Sequence, residues 1–389
     1  MRKPSRHPVT VAVTLVLLGL VAVLAAACTG LQSPPGSTQT SGTSGTSGTK
    51  PSSPFDPTTS APPPGLAGPL LAYRAADEIG VVEGTSVIAT APGAFTPSND
   101  LLSTEDGRFV FARTVDNQLA TIDVRNRRGA TRQIPVGPSL GTAGGSAIVW
   151  WEQPNRLMRL DLSDAAATPQ VMQTVDLPPV PQAGDPRLIV ARGGTAVLAR
   201  VEGAPTPFGG PDTLYAVRGP GAPTSLGQAD ANSPVAVARL SPDGAALAYA
   251  LYRATGDACG TAAVVQSDAD GNQQTFDVAG ADPTAGSRIT KLWWPNEGAP
   301  KLSLTTWRCG QPQLDPPVVW QLAGQQIAQV SPPTSALQTA EVAPGQRALI
   351  LPHSDGYTEP AGALVFEESA RRIPIKDDVD AIAVIEPSP

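Results

Sequence analysis

The chain has 389 residues, of which 41% are hydrophobic and only 16% are charged, and it contains 38 Gly and 42 Pro. This length allows one large or two medium domains, and so many turn-forming residues with so few charges favour short β-strands over long helices. The formal net charge of −7 at pH 7 argues against nucleic acid or an anionic lipid surface as the main partner.

The N-terminus, residues 1–27, predicts a secretory signal peptide. It begins with basic residues, continues with an uninterrupted apolar run over residues 11–27, and ends in three alanines before Cys28. This arrangement resembles the lipobox of bacterial lipoproteins, although Ala25 stands where that family usually has Leu, Val or Ile. The resemblance implies that Cys28 is acylated, with chains such as palmitate, and becomes the first residue after cleavage. An ordinary signal peptide and an uncleaved membrane anchor remain alternatives.

Residues 28–65 predict a disordered tether behind the lipidated cysteine. The segment is almost entirely Ser, Thr, Gly, Pro and Gln, and such a composition buries too little apolar surface to offset its ordering entropy. A random coil of about 35 residues has a reach of roughly 30–35 Å. We therefore expect an exported protein anchored to the outer face of a bacterial cytoplasmic membrane. Abundant Ala, with Arg in excess of Lys, favours a GC-rich source such as an actinobacterium.

Residues 239–250, which read R-L-S-P-D-G-A-A-L-A-Y-A, predict a hairpin of two apolar strands around a Ser-Pro-Asp-Gly turn. The same strand-turn-strand pattern recurs along the chain. Each turn ends in a Gly, at residues 107, 145, 194, 244, 298 and 345. Each period of about 40 to 50 residues also contains two further short strands, such as residues 119–124 and 132–136 after Gly107, and residues 363–366 and 371–375 after Gly345. Four short strands per period of this length are typical of a β-propeller.

The two ends of the repeated region predict how the propeller closes. Residues 70–73, 79–82 and 86–90 form a first group with three strands and no leading one, whereas residues 380–385 (D-A-I-A-V-I) alternate like a leading strand without followers. Pairing them completes a seventh four-stranded blade. We therefore predict an all-β, seven-bladed β-propeller over residues 66–386 with a short tail at 387–389. A β-sandwich or two smaller β domains are the alternatives.

The Leu240-Ser241-Pro242-Asp243-Gly244 turn and the strand after it resemble the repeats of TolB-type and WD40-like bacterial propellers, and residues 104–107 are a weaker copy. The resemblance implies a propeller fold that commonly binds proteins. It transfers no catalytic residues.

Cys259 and Cys309 are the two thiols that remain once Cys28 is acylated. In the repeat frame both lie at the end of the second strand, or just after it, in adjacent groups, and the exported compartment permits oxidation. The sequence therefore predicts a structural disulfide between them. A reactive thiol and a metal-binding pair are the alternatives.

Other polar residues predict turns more readily than active sites. His353, in His-Ser-Asp-Gly, lacks the spatial arrangement of a catalytic triad, and we interpret it as part of a surface turn. Residues 268–272 (D-A-D-G-N) resemble a calcium loop only in part, because the Gly is one place early and no Glu closes the loop. Asp377, Asp378 and Asp380 could bind a cation, but a solvated connection is the favoured interpretation.

Two tryptophan pairs, Trp150-Trp151 and Trp293-Trp294, fall on predicted strands, where neighbouring side chains face opposite ways. We interpret them chiefly as core residues between blades. An aromatic platform for a sugar or peptide is the alternative.

The favoured function is a binding or scaffolding surface for an envelope protein, peptide or glycan, with no cofactor, no metal and no nucleic-acid partner, on a monomer. The alternative is a propeller hydrolase or lactonase with carboxylates or a metal in the central funnel, and small-molecule sensing is a third possibility. The side chains that line the funnel separate the first two hypotheses. Several converging acids would favour the enzyme.

Overall fold

The computed structural model describes residues 70–97, 101–256, 259–282, 284–311, 313–353, 360–369 and 371–385. The chain divides into two units, Met1–Ala61 and Pro62–Pro389, and every described residue belongs to the second. The predicted signal peptide, Cys28, the tether and the tail at 387–389 lie outside the described residues. Among the residues that the structure describes, no helix is long and apolar enough to cross a bilayer.

All regular secondary structure in the described ranges is β-strand. The first fifteen strands are β1 (Leu70–Ala75), β2 (Glu78–Glu83), β3 (Ser86–Pro92), β4 (Leu102–Ser103), β5 (Phe109–Arg113), β6 (Leu119–Asp123), β7 (Arg128–Arg132), β8 (Leu140–Thr142), β9 (Ala147–Glu152), β10 (Arg156–Asp161), β11 (Gln170–Thr174), β12 (Arg187–Arg192), β13 (Thr195–Val201), β14 (Asp212–Arg218) and β15 (Thr224–Gln228). The others are β16 (Ala238–Leu240), β17 (Leu247–Gly256), β18 (Cys259–Ser267), β19 (Gln273–Val278), β20 (Ala285–Trp293), β21 (Lys301–Arg308), β22 (Val318–Ala323), β23 (Gln326–Gln329), β24 (Gln338–Ala343), β25 (Gln346–Pro352), β26 (Gly362–Glu368) and β27 (Arg371–Ile385).

These strands form antiparallel meanders, which we number as groups. Strands β4–β7, β8–β11 and β12–β15 are separate four-stranded sheets, here groups two, three and four. Strands β16–β19 (group five) and β20–β23 (group six) share one sheet through a short parallel contact of β19 with β23. In the remaining sheet the order is β24-β25-β26-β27-β1-β2-β3. We assign β24–β26 and the first half of β27 to group seven, and the second half of β27 with β1–β3 to group one.

The C-terminal strand pairs with the first strand, as predicted. Leu70 lies opposite Ile385, and Tyr73 opposite Ile382, in an antiparallel ladder. The sequence predicted two strands in this region, but the structure has one, because β27 passes from β26 to β1 through irregular register near Lys376. Gln338 on β24 joins the same strand, since its amide donates to the Ile382 carbonyl (2.7 Å) and accepts from the Ile382 N–H (3.1 Å).

The core consists of seven hydrophobic clusters among the described residues, and each cluster joins two consecutive groups. Strand β5 illustrates the cause: Phe109 and Phe111 point into one cluster, whereas Val110 and Ala112 point into the next. The clusters lie between groups one and two (around Val110), two and three (around Phe111), three and four (around Leu198), four and five (around Tyr249), five and six (around Leu302), six and seven (around Leu349), and seven and one (around Tyr73).

The hairpin turn that the sequence singles out is closed by its own side chains. Ser241 donates from Oγ to Asp243 Oδ1 (2.5 Å), and Gly244 takes the left-handed conformation (φ 71°) that the turn requires. The copy in group two repeats this contact, with Thr104 Oγ1 donating to Asp106 Oδ1 (2.6 Å). The shared Ser/Thr-x-Asp pattern therefore has one structural role at both sites.

One predicted strand lies in the wrong place. The sequence predicted the outer strand of group two at residues 132–136, whereas β7 occupies Arg128–Arg132. Ile134 and Val136 pack into the core from the connection that follows β7. The apolar alternation therefore marked a buried connection, because the outer strand is largely polar.

Candidate functional site

The described part of the chain has two distinct ends, which we call the turn face and the loop face. The turn face carries the turns between the first and second strands of each group, and these turns touch one another: Glu105 Oε1 accepts from Thr142 Oγ1 (2.7 Å) and from the Gly193 N–H (3.0 Å). Because Leu70 begins a second strand and Ile385 ends a first strand, both lie on the turn face. The loop face, at the opposite end of every strand, carries the longer connections.

Group four and group five meet closely at the turn face. A Cβ on Gly193 would lie 2.5 Å from the backbone carbon of Asp243, and Gly193 also has a positive φ of 58°. The neighbouring Gly194 has a similar φ of 73°, but open space surrounds it. Backbone-to-backbone packing of adjacent turns therefore depends on Gly193.

The predicted disulfide is present and lies on the loop face. Cys259 begins β18 and Cys309 directly follows β21, with a Cα–Cα distance of 5.1 Å. The bond joins the strand connections of groups five and six. Beside it, the rings of Tyr252 and Trp307 are tilted against each other at a centroid distance of 6.5 Å.

A buried charged cluster lies among the leading strands of the groups, which contact one another in the order β24, β27, β4, β8, β12, β16, β20. Asp380 on β27 accepts two hydrogen bonds from the fully buried Arg74, from Nε (2.8 Å) and Nη2 (3.0 Å). Lys291 on β20 donates to the backbone carbonyl of Asp380. This contact is notable because β20 and β27 belong to groups six and one, which are not consecutive.

Among the described residues that meet in this cluster, cations outnumber carboxylates. Burial lowers the pKa of Lys291 to about 8, Asp380 opposes this shift, and the cations of Arg74 and Arg239 add to it. Arg239 lies on β16 and donates from Nη1 to the Ala238 carbonyl (2.7 Å). The groups that meet here are thus three cations around one paired carboxylate, and no cluster of three metal-ligating side chains exists in the described ranges.

A groove of about 420 Å³ opens on group six towards the loop face. Its apolar wall includes the half-buried Trp320 on β22 and the buried Leu304 on β21. Its polar lining residues include Thr306, Asp315 and Gln329. No pattern in the sequence indicates this groove, since its residues come from three strands and a loop.

The other predicted polar positions differ in outcome. His353 is partly exposed, and its Nε2 lies 3.1 Å from Asp378 Oδ1. Asp268 accepts from the N–H (2.9 Å) and the side-chain amide (2.8 Å) of Asn272, so this turn holds itself closed. The sequence predicted a solvated connection at Asp377, Asp378 and Asp380, but all three lie on β27, where Asp377 and Asp378 are exposed and Asp380 is buried and paired with Arg74.

The tryptophan pairs fill the core on both sides of their strands. Trp150 and Trp151 are both buried, Trp150 between groups two and three and Trp151 between groups three and four. Trp294 and Trp293 likewise pack against two different clusters. Consecutive residues on a strand point to opposite faces, which places each ring of a pair in a separate cluster.

No protein-family model and no curated protein matches this chain. Among solved structures, it is similar to an oligogalacturonate lyase from Vibrio parahaemolyticus (12% identity over 80% of this chain and 86% of that one, TM-score 0.49). It is also similar to a hypothetical selenium-binding protein from Sulfolobus tokodaii (12% identity over 82% of this chain and 94% of that one, TM-score 0.48). A third similar structure is the β-propeller domain of Cps50 (Swd1) from Myceliophteria thermophila (11% identity over 73% of this chain and 90% of that one, TM-score 0.47). These similarities are distant, so the proposals below depend on the contacts within this chain.

Proposed function

We propose that residues 66–386 form a closed propeller of seven blades, in which each group is one blade. Three features support this proposal. Each of the seven clusters joins consecutive groups, and the last cluster joins group seven back to group one. The pairing of β27 with β1 links the two ends of the chain. The Lys291 contact with Asp380 passes over group seven, as a contact across a central funnel would.

The propeller is the outward part of an exported lipoprotein anchored through Cys28, and it acts as a binding or scaffolding surface for an envelope protein, peptide or glycan. The observation that carries this proposal is the position of Leu70 on the turn face, opposite Ile385. Leu70, the first described residue, therefore begins at the opposite end of the groups from the loop face. The loop face carries exposed apolar side chains on its connections, Phe208 (58% exposed) and Val115 (51% exposed), and we assign partner binding to it.

The charged cluster does not provide, at Asp380, the available carboxylate that the hydrolase alternative needs. An enzyme of the lactonase or hydrolase type needs converging acids in the funnel that are available to a metal or substrate. The carboxylate of Asp380 is instead taken up by Arg74, and Lys291 holds its backbone carbonyl. We therefore assign these groups a structural role in joining the blades.

Two experiments test the proposal. Cys28→Ala should release the protein from the membrane fraction or leave its precursor uncleaved, whereas an unchanged, lipid-labelled membrane product would refute the anchor. Non-reducing mass spectrometry of the variant detects the Cys259–Cys309 bond, and the presence of this bond reports whether the variant still folds.

The second experiment places a photo-crosslinking residue at Phe208 on the loop face or, as the matched control, at the exposed Thr85 on the turn face. We expect envelope components, identified by mass spectrometry, to be crosslinked at Phe208 and not at Thr85. Equal products at both positions, products at Thr85 alone, or none at either would contradict the assignment of the loop face as the binding surface.

A further inference from the structure

The groove on group six has the volume of a small-molecule site. Its volume of about 420 Å³ lies in the range that ligand pockets in proteins commonly have. It opens at the loop-face ends of β21, β22 and β23, on the side of the blade that faces group five. The disulfide between Cys259 and Cys309 joins the same two groups at the same face.

One wall of the groove is an aromatic platform. Trp320 packs partly against the cluster between groups five and six and still lines the groove. Leu304 and Val318 line the same wall. An indole face is a broad apolar surface on which the C–H face of a pyranose ring can stack.

Hydrogen-bonding groups line the groove beside the indole, and two of them are held to each other. Thr306 Oγ1 donates to Asp315 Oδ2 (2.5 Å), and the Asp315 N–H donates to the Thr306 carbonyl (2.8 Å). Gln329 lies opposite Trp320 in the strand ladder, and its amide can both donate and accept. A carboxylate, an amide and a hydroxyl beside an aromatic face match the alternating donors and acceptors of a polyol.

The walls of the groove are held by backbone contacts. Leu314 bridges to Trp307, and Val318 bridges to Ser335. The Ala336 N–H donates to the Pro317 carbonyl (3.2 Å). A site built from such contacts loses little conformational entropy when a ligand binds.

We propose that this groove binds an uncharged pyranose unit of a glycan. Among the described residues, those that line it include no Lys or Arg, and Asp315 disfavours anionic sugars by charge repulsion. A quaternary ammonium group is the competing ligand, but such groups favour cages of several aromatic rings, and in the described part of the chain Trp320 is the one aromatic residue that lines the groove. A sugar site in this groove names the ligand class for the proposed binding role. It rests on that role only for the expectation that the glycan comes from the cell envelope.

The test uses the full chain with Cys28→Ala, purified in detergent if the apolar segment of residues 11–27 is retained, because this variant keeps every described residue. Isothermal titration calorimetry is carried out with two neutral disaccharides, chitobiose and cellobiose, and with galacturonate and choline chloride. We expect at least one neutral disaccharide to bind. Galacturonate should bind at least about tenfold more weakly because Asp315 repels its negative charge. Choline should also bind at least about tenfold more weakly, because a single indole is a poor site for a quaternary ammonium group.

Three variants locate the site. Trp320→Ala should weaken disaccharide binding about tenfold or more, Asp315→Asn should weaken it several-fold, and Trp320→Phe should keep most of the affinity because it retains an aromatic face. Met172→Ala, exposed on group three, is the control and should bind like the parent chain. Thermal unfolding of each variant separates loss of the site from loss of the fold.

The proposal is overturned if neither disaccharide binds, if Trp320→Ala binds them as well as the parent, or if choline or galacturonate is the tighter ligand. These outcomes are independent of membrane anchoring, which the Cys28→Ala fractionation tests separately.

Discussion

The ion pair of Arg74 and Asp380 offers a direct test of how the chain ends are joined. Arg74 is fully buried, the Asp380 side chain is 7% exposed, and the pair is bidentate. Asp380→Asn removes the negative charge and leaves the guanidinium buried. Breaking a buried pair in this way costs about 3–5 kcal/mol, because the remaining charge loses its compensation. With an unfolding entropy of about 2.1 cal/mol/K per residue over roughly 320 residues, the midpoint temperature should fall by roughly 4–8 °C.

The assay is thermal and urea unfolding of the full chain with the disulfide intact. The matched control is Glu152→Gln, which breaks an ion pair with Arg156 whose two side chains are 44% and 46% exposed. That change should cost less than about 1 kcal/mol. The double variant Arg74→Met, Asp380→Leu should recover much of the loss, because neither charge then remains buried. If Asp380→Asn costs no more than Glu152→Gln, the ion pair does not stabilise the junction and the argument fails.

Three further predictions concern single contacts. Replacing Cys259 and Cys309 with Ser should lower the free energy of unfolding by about 4 kcal/mol, from a sequence separation of 50 residues; a loss below about 1 kcal/mol in denaturant titrations would contradict the entropic estimate. Gly193→Ala should cost at least about 2 kcal/mol more than Gly194→Ala, because both have positive φ but only Gly193 packs against a neighbouring turn, and equal unfolding midpoints would refute this. Burial lowers the pKa of folded Lys291 to about 8 from an ordinary 10.5, so the unfolded chain binds more protons between these values and stability should rise with pH. The rise should be about 2 kcal/mol between about pH 7.5 and 9.5 and absent in Lys291→Met; parallel pH profiles for the two proteins would show that Lys291 does not titrate there.

The sequence predicted the inner strands well and the outer strands less well, for a physical reason. Strands such as β5 and β13 are buried on both faces, so their residues form nearly continuous apolar runs that are easy to recognise. The outer strands β7 and β11 are largely exposed and carry Arg, Gln and Thr. Nothing in their composition separates them from loops. Only backbone pairing defines them, and apolar residues in a nearby connection can then be mistaken for the strand.

The charged cluster could have been found in part from the sequence. Arg74 is the one charge in the run L-L-A-Y-R-A, and Asp380 is the one charge in D-A-I-A-V-I. These two segments are predicted to pair as neighbouring strands, so two opposite charges within them indicate a buried ion pair. Lys291 gave no such signal, because it reaches Asp380 from a strand that is distant in sequence.

The groove on group six was beyond sequence reasoning for a different reason. Trp320 alternates with Val318 and Leu322 as any core residue of β22 would, and its role depends on which residues share the groove with it. One of them, Asp315, comes from the connection before β22, where Thr306 holds it. The apolar period of a sequence predicts a regular strand, whereas a site formed between a strand and a loop depends on tertiary contacts.

The pairing of β27 with β1 links the stability of the fold to the position of the face proposed to bind partners. A leading strand supplied from the C-terminal end of the repeats leaves Leu70, the first described residue, as the start of a second strand on the turn face. Because β1 and β27 are antiparallel, Ile385 ends its strand at the same face, opposite to the disulfide and the groove. The contacts that hold β27 in place, from Arg74, Gln338 and Lys291, therefore also fix where β1 begins, at the opposite end of its group from the face proposed to bind partners.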